Sequence, residues 1–184
     1  MAGSASLLSH LQAAKPPWVS LLVIKEGQRA EKLFSLPEGF RVSLLKGTKC
    51  STAAGLFAEF ARVMRFPDYF GHNWDALEEC LADLEWLPAK GYVLLMTDSE
   101  QVLQDDEEEY ATFIEVLSDA GEAWASGQAG MEAQPAKPFH VLLVVSDRKK
   151  SRRAHWAVSE MSAGSSCTTP NRTEQPGRRN RPRK

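Results

Sequence analysis

Short apolar runs alternate along this chain with stretches of helical periodicity, and this alternation constrains the fold more than any other feature. Each run is long enough for one strand, and the four are WVSLLVI (18–24), FRVSLL (40–45), YVLLMTD (92–98) and FHVLLVV (139–145). Nearly continuous apolar strands are typical of parallel sheets whose faces are covered by helices. We therefore predict an α/β fold with a parallel sheet packed with helices.

The segment from Phe66 to Pro88 (FPDYFGHNWDALEECLADLEWLP) predicts a tight loop followed by a short acidic helix. Asn73 or Asp75 can accept hydrogen bonds from the free N–H groups of the first turn. Gly71 precedes the helix, where a chain reversal often requires a positive φ. One face of this helix is apolar and consists of Trp74, Leu77, Leu81 and Leu84. The remaining surface carries the carboxylates of Asp75, Glu78, Glu79, Asp83 and Glu85.

The net charge of −2 conceals two segments of opposite sign. Residues 66–122 contain sixteen acidic residues and one basic residue, whereas residues 146–184 contain eleven basic residues and three acidic ones. The first segment predicts a dense acidic field on folded structure, and the second predicts a basic tail. Such a split bears on the partners of the protein more directly than its net charge does.

Several classes of protein are disfavoured by the sequence. No apolar run approaches the roughly 18 residues of a membrane span, and residues 1–17 lack the basic start and apolar core of a signal peptide. The three cysteines, Cys50, Cys80 and Cys167, lack metal-like spacing and favour a reducing cytosol. Nucleotide-binding loops, the serine-hydrolase motif and calcium-loop spacing are absent. We expect a cytoplasmic protein that is not an enzyme and has no metal or cofactor.

Nine residues of the Phe66–Pro88 segment follow a distinctive order; they are Pro67, Tyr69, Phe70, Gly71, Asn73, Asp75, Ala76, Leu77 and Cys80. In this order and spacing the segment resembles the barstar family of ribonuclease inhibitors. The resemblance implies a three-stranded parallel sheet packed with helices. We divide the chain into an N-terminal extension with one strand (1–38), a barstar-like domain (39–147) and a basic tail of disordered composition (148–184). The extra strand would extend the sheet by one edge or cover a face of the core.

The resemblance also implies a function, which is the inhibition of a cognate secreted bacterial ribonuclease or related nuclease toxin. A rigid helix that presents carboxylates can replace the phosphates of RNA in a cationic active site. The implied partner-binding residues are Tyr69, Phe70, Gly71, Asn73, Asp75, Glu78 and Glu79, with Asp119 on a later helix at the rim. No cofactor is implied, and we expect a monomer when the protein is free.

Three positions depart from the family pattern. Glu79 stands where the family has its most important aspartate, Glu78 where it has a tryptophan, and His72 where it has a glutamate. The extra methylene of Glu79 keeps the charge but lengthens its reach, which suggests a partner different from a barnase-like enzyme.

Other interpretations of the same residues remain open. An acidic helix face often does no more than contact solvent. The protein could instead be an immunity protein for another toxin nuclease, such as a DNase. It could also be a regulatory interaction module with no nuclease partner, in which the basic tail makes weak contacts to nucleic acid.

Overall fold

One sheet of six strands runs through the protein in its computed structural model, which describes residues 2–130, 135–146, 159–162 and 165–168. The strands are β1 (Val19–Ile24), β2 (Phe40–Lys46), β3 (Gly91–Thr97), β4 (Phe139–Ser146), β5 (Ser159–Ser162) and β6 (Ser165–Thr168). The α-helices are α1 (Ala2–Leu11), α2 (Ala53–Met64), α3 (Trp74–Asp83) and α4 (Tyr110–Ser126). Short 3₁₀ turns lie at Ala30–Lys32, Gly47–Lys49, Ser99–Gln101 and Glu107–Glu109.

The strands lie in the order β2-β3-β4-β1-β5-β6, and the first four are parallel to one another. The family resemblance implies three parallel strands, and this number is wrong because β1 adds a fourth beside β4. Its apolar run pairs residue by residue with β4, from Val19 opposite Val141 to Ile24 opposite Ser146. The N-terminal strand therefore extends the sheet, the first of the two alternatives that the sequence left open.

Two further strands lie within the segment 148–184, which the sequence predicts to be a disordered tail. Strand β5 pairs parallel with β1, and β6 pairs antiparallel with β5. Both strands are only four residues long and mostly polar (SEMS and SSCT), so the sequence carries no apolar pattern that would predict them. The rest of this predicted tail lies outside the described residues.

Helices cover the two faces of the sheet unequally. α2, α3 and α4 pack on one face around a large core whose biggest fully buried side chains include Phe60, Tyr92, Phe113 and Trp124. On the other face, a smaller core forms where Leu7 and Leu11 of α1 and residues 30–36 meet apolar side chains of β1, β3 and β4. The prediction for residues 1–38 contained one strand, and the structure adds α1. No helix among the described residues is long and apolar enough to cross a membrane.

Gly121 on α4 marks the place where the N-terminal extension packs against the helices. A Cβ atom added at Gly121 would lie 2.5 Å from Cγ of Trp18, which no folded protein tolerates without movement. We expect Gly121→Val to lower the free energy of unfolding by about 2 kcal/mol, because overpacking a core costs roughly 1–3 kcal/mol. Urea unfolding measures this loss.

A double-mutant cycle identifies the origin of that loss. In a Trp18→Ala background, Gly121→Val should cost about 1 kcal/mol less than it does alone, because the indole that it meets is gone. Equal costs in both backgrounds would contradict this packing.

Candidate partner-binding surface

A side-chain cap fixes the start of α3. The Asn73 carboxamide oxygen accepts a hydrogen bond from the Ala76 backbone N–H at 2.8 Å, as the sequence predicts for Asn73. Asp75 lies in the first turn, where a negative charge is favoured by the helix dipole. The cap therefore sets the direction in which α3 presents its side chains.

The positive φ before α3 falls on a different residue from the one predicted. Gly71 does not have a positive φ, whereas His72 is in the left-handed region with φ of 50°. Space, rather than backbone conformation, constrains Gly71. A Cβ there would lie 3.1 Å from Nδ2 of Asn73 and 3.5 Å from Cβ of Ala76, so a larger residue would press on the capped turn.

Loss of the cap should be measurable in stability. We expect Asn73→Ala to lower the free energy of unfolding by about 1 kcal/mol, because N-cap removal costs roughly 0.5–2 kcal/mol. Asn73→Asp is the matched control, since its carboxylate can accept the same hydrogen bond and should stay within about 0.5 kcal/mol of the parent. An equal loss in both variants would show that the cap is not the cause.

The two aromatic residues of the loop point in opposite directions. Tyr69 is 72% exposed, whereas Phe70 is 6% exposed. The Phe70 ring packs against Phe66, with centroids 4.8 Å apart, and against Phe57, with centroids 6.4 Å apart. Both residues were predicted to bind the partner, but only Tyr69 offers its ring to solvent. Phe70 holds the loop against the core.

Three carboxylates stand exposed on α3, namely Asp75, Glu78 and Glu79, and with Ala82 they line a shallow depression. Within the part of the chain that the structure describes, no basic side chain forms an ion pair with them. Asp75 and Glu79 are four residues apart, a spacing at which like charges destabilise a helix by a few tenths of a kcal/mol. We call the exposed surface of Asp75, Glu78 and Glu79 the acidic face of α3.

A second depression, with a volume of about 280 Å³, adjoins the acidic face. Its lining includes Tyr69, Glu79 and Asp83, together with Gln128 and Gly130 after α4. Loss of hydration and then nearby negative charges, including Asp83 and Glu79, raise the pKa of Tyr69. Asp83 was not among the predicted site residues, although its spacing of four from Glu79 places it on the same side of α3.

Helix α4 runs parallel to α3 and carries the predicted rim residue Asp119. The Trp74 indole N–H donates to Glu109 at 2.8 Å near the start of both helices. The Trp124 indole N–H donates to the Leu81 carbonyl oxygen at 2.8 Å near their ends. Asp119 is exposed about midway along α4, one helix away from the acidic face.

The thiol of Cys80 lies buried beneath the acidic face. Burial, followed by the charges of Asp83 and Glu79, raises the pKa of Cys80 to about 11, so the thiol is protonated at neutral pH. No group of three or more His, Cys, Asp or Glu residues within the described residues could hold a metal ion. The surface offers charge, hydrogen-bond acceptors and one aromatic ring, which are the means of binding a cationic partner.

Comparison with protein families gives a match over more than half of the chain. The family model described as barstar (barnase inhibitor) matches residues 40–144. This chain belongs to the barstar family. The match begins at the first residue of β2 and ends within β4, so it includes the acidic face and the loop before it. Strand β1 and helix α1 lie outside it, which explains why the family resemblance implied three strands rather than four.

Other comparisons give the fold alone. A search of curated proteins found no match. A solved structure of the ORC2 protein of Aeropyrum pernix, in ADPNP–ADP complexes, is similar with a TM-score of 0.50 and 13% sequence identity. The similarity covers 88% of this chain but only 44% of that protein. At this identity it supports the α/β architecture and carries no information about function.

Proposed function

We propose that this protein inhibits a cognate ribonuclease by placing the acidic face of α3 and the preceding loop into the active site of the enzyme. One observation carries the proposal. Three exposed carboxylates without ion-pair partners among the described residues stand on a capped helix within the region that the barstar family model matches. The mechanism is occlusion combined with phosphate mimicry, and it needs no covalent chemistry and no cofactor.

Electrostatics explain why such a surface suits a ribonuclease. Enzymes that bind RNA hold its phosphates with Arg, Lys and His, so their active sites are positive. Carboxylates that meet these cations form charge-assisted hydrogen bonds, which are roughly twice as strong as neutral ones. The dense negative charge of residues 66–122 also accelerates the encounter with a positive partner.

Rigidity is the second requirement. Ordering a long side chain on binding costs about 0.5–1.5 kcal/mol, so a surface that is already fixed binds more tightly. Asn73 fixes the start of α3, and Phe70 anchors the loop beneath Tyr69. Leu77 and Leu81 are fully buried and hold the helix to the core.

Each site residue has a proposed role. Asp75 and Glu79 replace phosphates, Tyr69 contacts the enzyme with its ring, and Gly71 and Asn73 shape the turn. Glu78 and Asp119 lie at the rim, where charge affects the association rate more than the affinity.

The partner is a ribonuclease whose phosphate site accommodates glutamate. The family resemblance implies an aspartate at the position of Glu79, and the glutamate side chain reaches about one methylene further. We propose that the inhibitor acts in the cytoplasm of the cell that makes the ribonuclease, as a monomer, before the enzyme is exported.

A competition experiment tests whether the active site is the target. The protein is titrated into barnase-like and related bacterial ribonucleases with increasing amounts of a 3′-mononucleotide that occupies the active site. We expect the apparent Kd for the inhibitor to rise linearly with the free nucleotide concentration and without a plateau, since the two cannot bind together. An unchanged Kd at saturating nucleotide would show that binding occurs elsewhere on the enzyme.

A further inference from the structure

The last part of the chain carries a charge opposite to that of α3. Residues 169–184 lie outside the described residues, and they contain one acidic residue, Glu174, and six basic residues, which are Arg172, Arg178, Arg179, Arg181, Arg183 and Lys184. Five of the six are arginines, whose planar guanidinium groups bind carboxylates in pairs of hydrogen bonds and stack on aromatic rings. This segment therefore matches a surface that offers both carboxylates and an exposed ring.

The acidic face of α3 is such a surface. No basic residue within the described residues forms an ion pair with Asp75, Glu78 or Glu79. The adjoining depression adds the carboxylate of Asp83 and the ring of Tyr69, which is 72% exposed. A guanidinium group over a tyrosine ring gains about 0.5–1 kcal/mol at an exposed site, in addition to its hydrogen bonds with carboxylates.

The other dense acidic segment, residues 105–109, uses two of its five carboxylates for structural hydrogen bonds and exposes those of Asp105, Glu107 and Glu108. Asp106 accepts a hydrogen bond from the Ala53 backbone N–H at 2.8 Å and so holds the start of α2. Glu109 accepts the indole N–H of Trp74 at 2.8 Å and so holds the start of α3. The acidic face differs in two respects: none of its three carboxylates has an ion-pair partner within the described residues, and it adjoins the exposed ring of Tyr69.

The segment is long enough to reach the acidic face. The segment begins after β6, which lies two strand positions from β1. Helix α4 packs on β1 and β4, and α3 packs beside α4. The path from β6 to α3 crosses two strand spacings of about 4.8 Å, rises about 10 Å to the helix layer and crosses one helix spacing of about 9 Å. Its length is therefore roughly 30 Å. Sixteen residues span up to about 53 Å when extended.

From this complementarity and reach, we propose that residues 169–184 bind the acidic face of α3 and compete there with the partner. The inference rests on the proposed function in one respect, because it assigns a regulator to the same surface. A tethered segment acts at a millimolar effective concentration, so even weak contacts hold it in place at low salt. A partner with a denser positive charge displaces the segment, and salt weakens the contact between the segment and the acidic face.

Paramagnetic relaxation enhancement in the full-length protein tests the contact without any nuclease. A nitroxide is attached at Asn180→Cys in a Cys167→Ser background. Cys50 is fully buried and Cys80 is 4% exposed, and burial raises the pKa of both thiols, so we expect the label to attach at position 180. At about 20 mM salt we expect at least a roughly twofold loss of amide signal intensity across Trp74–Asp83, which recovers at about 500 mM salt.

Two sets of charge-neutral variants serve as controls. Replacing the six basic residues of the segment by Gln, or replacing Asp75, Glu78 and Glu79 by Asn and Gln, should each restore the α3 signals at low salt. Equal broadening in the neutral variants, no broadening at low salt, or broadening centred on residues 105–109 would each overturn the proposal. Because no ribonuclease is present, these outcomes are independent of whether the proposed function holds.

The competition has its own readout once a ribonuclease is identified. The variant with a neutral segment should associate with the enzyme several-fold faster than the parent at low salt, and equally fast at about 500 mM salt. An association rate that the neutral segment leaves unchanged at low salt would show that the segment does not compete.

Discussion

We expect Glu79→Ala to weaken binding of the cognate ribonuclease by about 3–5 kcal/mol, which is a loss of at least about 100-fold in Kd. Glu79 borders both depressions on α3, so it lies at the centre of the proposed contact. Removal of its carboxylate would leave cations of the enzyme buried and unpaired, and an uncompensated charge in an interface is more costly than a lost surface contact. Titration calorimetry against an inhibited enzyme measures the change.

Two further variants make this result specific. Glu38→Ala removes an exposed carboxylate outside the region matched by the family model, and it should change the binding free energy by less than about 0.5 kcal/mol. Glu79→Asp restores the residue of the family and should recover part of the loss. A loss below about 0.5 kcal/mol for Glu79→Ala would show that the family site is not used here.

The second large effect concerns stability and a histidine far from the acidic face. His140 on β4 is 1% exposed, and it ties the sheet to the segment between α1 and β1. Its Nε2 lies 2.8 Å from the Ala13 carbonyl oxygen and its Nδ1 lies 3.3 Å from that of Pro17. Burial outweighs these hydrogen bonds and lowers the pKa of His140 from 6.5 to about 4.

This shift makes the protein less stable in acid. Between about pH 6.5 and pH 4 the unfolded chain binds a proton at this histidine and the folded chain does not, so stability falls as the pH decreases. A shift of this size corresponds to a loss of up to about 3 kcal/mol across the window. His10 contacts the His140 ring, and burial also lowers its pKa, so it acts in the same direction.

Urea unfolding at several pH values measures the contribution of His140. His140→Gln keeps a side-chain hydrogen-bond donor but cannot titrate, so its stability should depend less steeply on pH between 6.5 and 4 than that of the parent. Asn73→Ala is the control, because it lowers stability without removing a titratable group and should leave the slope unchanged. A His140→Gln slope equal to that of the parent would contradict the assignment.

Much of the fold follows from the sequence because buried parallel strands are apolar at consecutive positions. The four apolar runs predict β1 to β4 to within one residue at each end. Strands β5 and β6 were not predicted. The strands are short and polar; β5 pairs with β1, and β6 pairs with β5. Pairing of this kind depends on tertiary context, about which local sequence patterns carry no information.

For the candidate site, the sequence predicted the residue types better than it predicted their orientations and backbone conformations. The sequence left the cap open between Asn73 and Asp75, and the structure has it at Asn73. Which of Tyr69 and Phe70 faces the core could not be predicted, because an irregular loop has no periodicity to assign a face. The positive φ at His72 rather than Gly71 is a similar case, since glycine permits that conformation without requiring it.

The central claim is tested most directly by titrating the full-length protein into a ribonuclease assay with barnase-like and related bacterial enzymes. Asp75→Ala and Glu79→Ala are titrated in parallel. We predict that, for the cognate enzyme, activity falls linearly to zero at one inhibitor per enzyme, and that neither variant inhibits at the same concentration. Full activity of every enzyme in an excess of inhibitor, or undiminished inhibition by both variants, would contradict the account.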